Sequence, residues 1–149
     1  MKTTQTASYL SLRYASYTTL GLCGYFSLML LLGLAEHTLL RTFNIFILYW
    51  GIHKSISVYK HIEMKDFNFL HGYKVGIRTG ILTTIMFSMS IVIFDLINAP
   101  FIEKVLTNGQ IENAGTIFEI IGIISIEAIG STIICTYASM QYLKIPRLK

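Results

Sequence analysis

The chain has 149 residues, 53% of them apolar and only 13% charged, and its mean hydropathy is +0.58. Soluble domains carry about a quarter charged residues, so this composition excludes an ordinary soluble globule and points to a membrane protein. The length allows one compact domain, and the net charge of +4 belongs to the flanks of apolar stretches rather than to a surface for nucleic acid.

The first apolar stretch, Tyr14 to Ala35, contains no charge until Glu36. Crossing a ~30 Å hydrocarbon core takes about 20 such residues, so a span is expected over 16–35. Gly33-Leu34-Ala35 would suit a signal peptidase, but the long tyrosine-rich lead-in and the apolar segment that follows at once argue for a retained span. Glu36 to Arg41 is short enough to be a tight outer turn, which makes spans one and two an antiparallel hairpin. The second span, expected over 39–58, is the most polar. Its Lys54 can reach inner headgroups along its own stem. His61 to Tyr73 forms a polar connection. Span three is expected over 75–97, with Pro100 as a stop. The outer connection that follows contains the turn signal Asn108-Gly109. Span four is expected over 115–138, and a basic tail closes the chain.

Of the twelve Lys and Arg residues, only Arg41 and Lys104 fall in the two outer connections. Lys2, Arg13, Lys54, Lys60, Lys65, Lys74, Arg78, Lys144, Arg147 and Lys149 all flank the other side. Positive residues are retained on the cytoplasmic side during insertion, so both termini are expected inside. That basic face would also attract anionic lipid headgroups, at about 1 kcal/mol per well-placed cation.

Gly72, Gly76, Gly80, Thr84 and Ser88 recur every four residues along span three. In lipid, helices associate where small residues let their backbones approach. The stripe therefore packs inside the monomer, against span four or span one, or forms the seam of a homo-oligomer. Gly115, Gly122 and Gly130 on span four are available counterparts.

Three acids fall within spans: Asp95 on the third, Glu119 and Glu127 on the fourth. A mid-bilayer carboxylate costs about 2.5–3.5 kcal/mol on insertion scales, so such residues rarely face lipid. At ~1.5 Å per residue, Glu127 lies about 18 Å in from the outer start of its span. Tyr25, Tyr49 and Thr84 come level with it by the same counting. Glu119 and Glu127 are only about 80° apart around the helix, so one interior face is expected to hold both. A desolvated carboxyl without a cation takes up a proton and acts as a hydrogen-bonding group. Glu127 then reads as polar glue, as a proton or cation site with Tyr49 and Thr84 beside it, or as a contact to a partner's helix.

Other chemistry is thinly represented. Cys23 and Cys135 fall inside spans and read as small apolar residues. His53, His61 and His71, with Glu63 and Asp66, match no metal-ligand spacing, so no metal and no cofactor are expected. There is no phosphate-binding glycine loop, and a Ser/His/Asp set would have to be picked arbitrarily. An enzyme is the least supported class.

Several stretches form a pattern: Leu12-Arg13-Tyr14 before a glycine-rich first span; Glu36 to Arg41 with Phe43-Asn44, Gly51-Ile52 and Val58-Tyr59-Lys60; and Phe67 to Phe69 followed by Gly72-Tyr73-Lys74-Val75-Gly76. Over about residues 10–105 the chain resembles a family of small four-helix inner-membrane proteins common in Bacteroidetes, domain of unknown function 4199. The short outer connection and the two glutamates of span four depart from that family's pattern. The resemblance implies a fold and a location, and no activity.

The expected protein is a single all-α membrane domain over 1–149: four antiparallel transmembrane helices in an up-down bundle, with both termini cytoplasmic. The expected function is that of a non-catalytic accessory or assembly component of a membrane complex. The alternative is a small proton- or cation-coupled carrier using the intramembrane carboxylates. The absence of proline within the spans and of a repeat between the two hairpins counts against a carrier. Expected partners are the bilayer, other membrane proteins or a second copy, and no nucleic acid.

Overall fold

The computed structural model describes residues 2–32, 42–63, 67–97 and 117–144. Within them the chain forms four helices and no strand: α1 Lys2–Leu31, α2 Phe43–Ile62, α3 Phe69–Ile97 and α4 Ile117–Lys144. Residues 33–41, residues 98–116 with Asn108-Gly109, and the last five residues lie outside the described set.

All four helices overrun their expected spans at the same end of the bundle, the end that carries the basic residues. α1 starts at Lys2 instead of residue 16, α2 ends at Ile62 instead of 58, α3 starts at Phe69 instead of 75, and α4 ends at Lys144 instead of 138. The reason is packing. Apolar windows mark what lipid demands, but a helix continues wherever tertiary contacts support it. Leu10, Tyr59 and Val75 bury one another here, flanked by Ala7, Tyr14, Val58 and Phe67. The polar lead-in before span one is thus part of the bundle, with Ser11 fully buried. Asn68 opens α3. Its carbonyl accepts from the amides of His71 (3.0 Å) and Gly72 (3.2 Å), and its Oδ1 accepts from the Phe69 amide (2.9 Å). At the end of α2 the Glu63 amide closes on the Tyr59 carbonyl at 3.0 Å.

Side-chain pairs fix the directions. Gly72 faces Met140, Gly76 faces Thr136 and Gly80 faces Thr132, so α3 and α4 are antiparallel in one constant register. Gly51 meets Thr18 and Gly21 meets Ile47, so α1 and α2 are antiparallel as well. α2 and α3 each pack against every other helix, while α1 and α4 occupy opposite corners. The cross-section is a rhombus with α2 and α3 on its short diagonal. α3 over Phe69–Phe94 and α4 over Ile121–Leu143 are long and apolar enough to cross a membrane. Among the described residues α1 and α2 do not meet that measure: parts of both expected spans fall within 33–41, and α2 carries Lys54 and Lys60.

Candidate functional site

The small-residue stripe of α3 packs inside the monomer, against α4. A Cβ on Gly72 would come within 2.7 Å of Met140 Sδ and 2.8 Å of Phe67 Cζ. One on Gly76 would lie 2.5 Å from Thr136 Cγ2 and 2.9 Å from Ile56 Cδ1. One on Gly80 would fall 2.8 Å from Thr132 Cβ and collide with both branches of that side chain. Each glycine therefore seats one α4 side chain where any β-carbon would displace it. Thr84, next along the stripe, is buried and donates to the Gly80 carbonyl at 3.0 Å. Ser88 is half-buried, its Oγ enclosed without a hydrogen-bond partner among the described residues.

What the glycines seat is a hydroxyl-lined core. Of the eleven largest fully buried side chains among the described residues, eight are Ser or Thr: Ser11, Thr18, Ser55, Thr79, Thr83, Thr132, Thr136 and Ser139. Ser55 on α2 and Thr79 on α3 are joined at 2.9 Å. Thr79 spends its single proton on the Val75 carbonyl at 2.8 Å, so Ser55 is the donor of that pair. Thr83 donates to the Thr79 carbonyl at 2.9 Å. The hydroxyl oxygens of Thr132, Thr136 and Ser139 are buried with no hydrogen-bond partner among the described residues. Thr132, Thr136 and Met140 fill the glycine hollows, so the seam is close-packed there. The signal for it was available in the sequence: Thr132, Thr136 and Ser139 repeat at helical spacing on α4 as the complement of the glycine stripe.

The glutamates need a correction. Glu119 and Glu127 are both exposed, not interior. Five residues at ~100° each put Glu127 about 140° around α4 from Thr132, the residue that touches α3. The register places Thr84 opposite Ala128, so Glu127 has the expected depth and the wrong azimuth. The expected shared face exists, but it is the outward one. Tyr49 is half-buried and stacks on His53, with ring centroids 5.7 Å apart, and Tyr142 meets the same imidazole edge-to-face at 5.4 Å. Tyr25 packs near Phe43 at 6.4 Å. The Asp95 side chain lies outside the described set. Every buried polar side chain among the described residues is Ser or Thr, and none is acidic.

Two features at the basic end were not anticipated. Lys60 of α2 donates to the Leu143 carbonyl at 2.6 Å, placing a cation at the negative C-terminus of α4. On the outward side of α3, Tyr73, Ile77, Ile81 and Leu82 line a shallow groove of about 330 Å³ with Lys74 and Arg78 along it. Cys23 and Cys135 are both free thiols. No group of three His, Cys, Asp or Glu residues is placed to hold a metal ion among the described residues.

Compared with known proteins, the chain matches no family model, no curated protein and no solved structure.

Proposed function

We propose that this chain is a multi-pass protein of the cytoplasmic membrane, with both termini inside, that serves as a non-catalytic component of a membrane assembly. The observation that carries this reading is an inside-out distribution of side chains. The deepest core positions are mostly hydroxyls, whereas Ile81, Ile85, Met89 and Ile93 form an exposed stripe along α3. In water, burial of apolar area stabilises at about 25 cal/mol per Å², and monomers rarely leave such contiguous patches outside. In lipid the tails solvate that stripe, and small or hydroxyl-bearing faces hold the helices together instead.

The resemblance of residues 10–105 to the small four-helix family belongs to the same proposal. So does the attraction of the basic end for anionic headgroups, which the groove beside Lys74 and Arg78 suits: a channel for an acyl chain next to two cations. The carrier alternative is weakened, because Glu119 and Glu127 face outward and no buried carboxyl is found among the described residues. Reporter fusions test the topology. A fusion at Asn108 is expected to report the extracytoplasmic side, and fusions at Glu63 and Lys149 the cytoplasmic side. A cytoplasmic signal from Asn108 would overturn the reading.

A further inference from the structure

We propose that the outward face of α3 seats one anionic phospholipid of the cytoplasmic leaflet, its phosphate held between Lys74 and Arg78 and an acyl chain lying along Ile77, Ile81 and Ile85. The inference rests on the membrane reading above and narrows its general attraction for anionic headgroups to one site.

Lys74 and Arg78 stand one turn apart on α3, and both are exposed. Like charges four residues apart on a helix destabilise it, and an anion placed between them removes that repulsion. No acid of the same helix does so, since α3 carries none before Asp95, about 25 Å further along at ~1.5 Å per residue. Neither cation makes a hydrogen bond or ion pair among the described residues. Two other cations at this end are already engaged. Lys60 is held by the Leu143 carbonyl, and the Arg13 guanidinium lies over the Tyr17 ring at 5.8 Å.

Depth and shape agree with a phospholipid. Ser11 reaches the Val75 carbonyl at 3.4 Å and Ser55 meets Thr79 at 2.9 Å, which brings Arg13, Lys54 and Arg78 to nearly one level on three helices. Cations gathered at one depth mark the headgroup layer. Beside Lys74 and Arg78 runs the groove of about 330 Å³ lined by Tyr73, Ile77, Ile81 and Leu82. Beyond it the exposed Ile85, Met89 and Ile93 continue an apolar track. Ile81 to Ile93 covers about 18 Å, against about 15 Å for one leaflet of a ~30 Å core. At ~100° per residue Ile81 and Ile85 lie within about 60° of Arg78, so a chain leaving the phosphate enters the track directly. The two cations select the headgroup. A guanidinium offers a planar fork to two phosphate oxygens, and the ammonium adds a point charge. A zwitterionic lipid brings its own cation beside the phosphate, so the pair favours a lipid of net negative charge.

Tryptophan quenching by brominated lipids in bilayers tests the seat, using the full chain with its single tryptophan removed by Trp50→Phe. One reporter is Ile85→Trp on the track. The other is Ile126→Trp, exposed on α4 at the depth of Met86, because Thr132 faces Gly80. The bilayers are phosphatidylcholine with a rising fraction of brominated phosphatidylglycerol. The reporter at 85 should be half-quenched at a fraction roughly 25-fold lower than the reporter at 126, about fivefold for each cation. Lys74→Gln and Arg78→Gln should each remove about fivefold of that preference, whereas Lys54→Gln, near the same level on α2, should leave it unchanged. Equal preference at the two reporters, or an equal loss from Lys54→Gln, would overturn the proposal by showing diffuse attraction only. Relief of the quenching by soluble glycerol phosphate would overturn it too, since the pair would then take a free phosphate without the chains. Brominated phosphatidylcholine separates the two readings. Quenching of both reporters without a preference for phosphatidylglycerol refutes only the seat, whereas no quenching of either refutes the membrane reading and the seat with it.

Discussion

The two halves of α4 differ in how they pack. From Thr132 to Met140 the helix is seated: Thr132, Cys135, Thr136, Ser139 and Met140 are all buried, three of them against glycines of α3. Residues 117–131 contribute nothing to the buried core among the described residues, and a Cβ added at Gly122 or Gly130 would meet nothing within 4 Å. The apolar stretch Ile121–Leu143 runs through both halves, so it does not separate them. Close approach does: where α3 offers Gly72, Gly76 and Gly80, α4 packs, and beyond Thr84 the hollows end. Between helices long and apolar enough to cross a membrane, small residues set where the closest packing falls.

The sharpest way to break this contrast is Gly80→Leu. A leucine there must displace Thr132, and overpacking of this kind costs about 1–3 kcal/mol, with the higher end expected because the obstacle includes Thr132 Cβ. Thermal unfolding in detergent should show a clear loss, whereas Gly122→Leu in the open half should leave stability nearly unchanged. Equal effects at the two glycines would erase the distinction.

Lys60→Met should come next. It removes the donor to the Leu143 carbonyl at the seated end of α4, a charge-assisted bond worth about 1.5 kcal/mol where partly buried. Hydrogen exchange should show the last turn of α4 fraying while the glycine seam stays protected. Ser55→Ala follows at about 1 kcal/mol, because Thr79 keeps its bond to the Val75 carbonyl and loses only an acceptor role. The smallest effect is Gly130→Ala, expected to raise the helical stability of the monomer by roughly 0.5–1 kcal/mol, since the site is open and alanine is the better helix former. A loss of stability there would mean that the outer half is packed after all.

These contrasts also show how far the sequence could be read. The number of helices and the glycine stripe were legible, because a four-residue repeat of small side chains has one geometric meaning on a helix. The choice between a seam inside the monomer and one between copies was not, since only contact with Met140, Thr136 and Thr132 decides it. Glu127 was misplaced for a definable reason. Its depth follows from counting along the axis, but its direction follows from the angle to Thr132 and Thr136, which only their contacts with Gly80 and Gly76 mark as the packed face. At the basic side the helices outrun their apolar stretches, because hydropathy windows stop where charges begin and the packing of Leu10, Tyr59 and Val75 does not. Lys60 looked like one topology charge among ten. Its bond to the end of α4 depends on where a helix 83 residues further along the chain terminates.

The inside-out side-chain arrangement is tested most directly by a spin label at Ile85, on the exposed stripe of α3, in a chain reconstituted into lipid bilayers. High collision rates with oxygen and low rates with a water-soluble nickel chelate are the result that the proposed membrane location predicts, since Ile85 is exposed while Thr84 beside it is buried. Rates high for the nickel chelate would place Ile85 in water and contradict the membrane bundle.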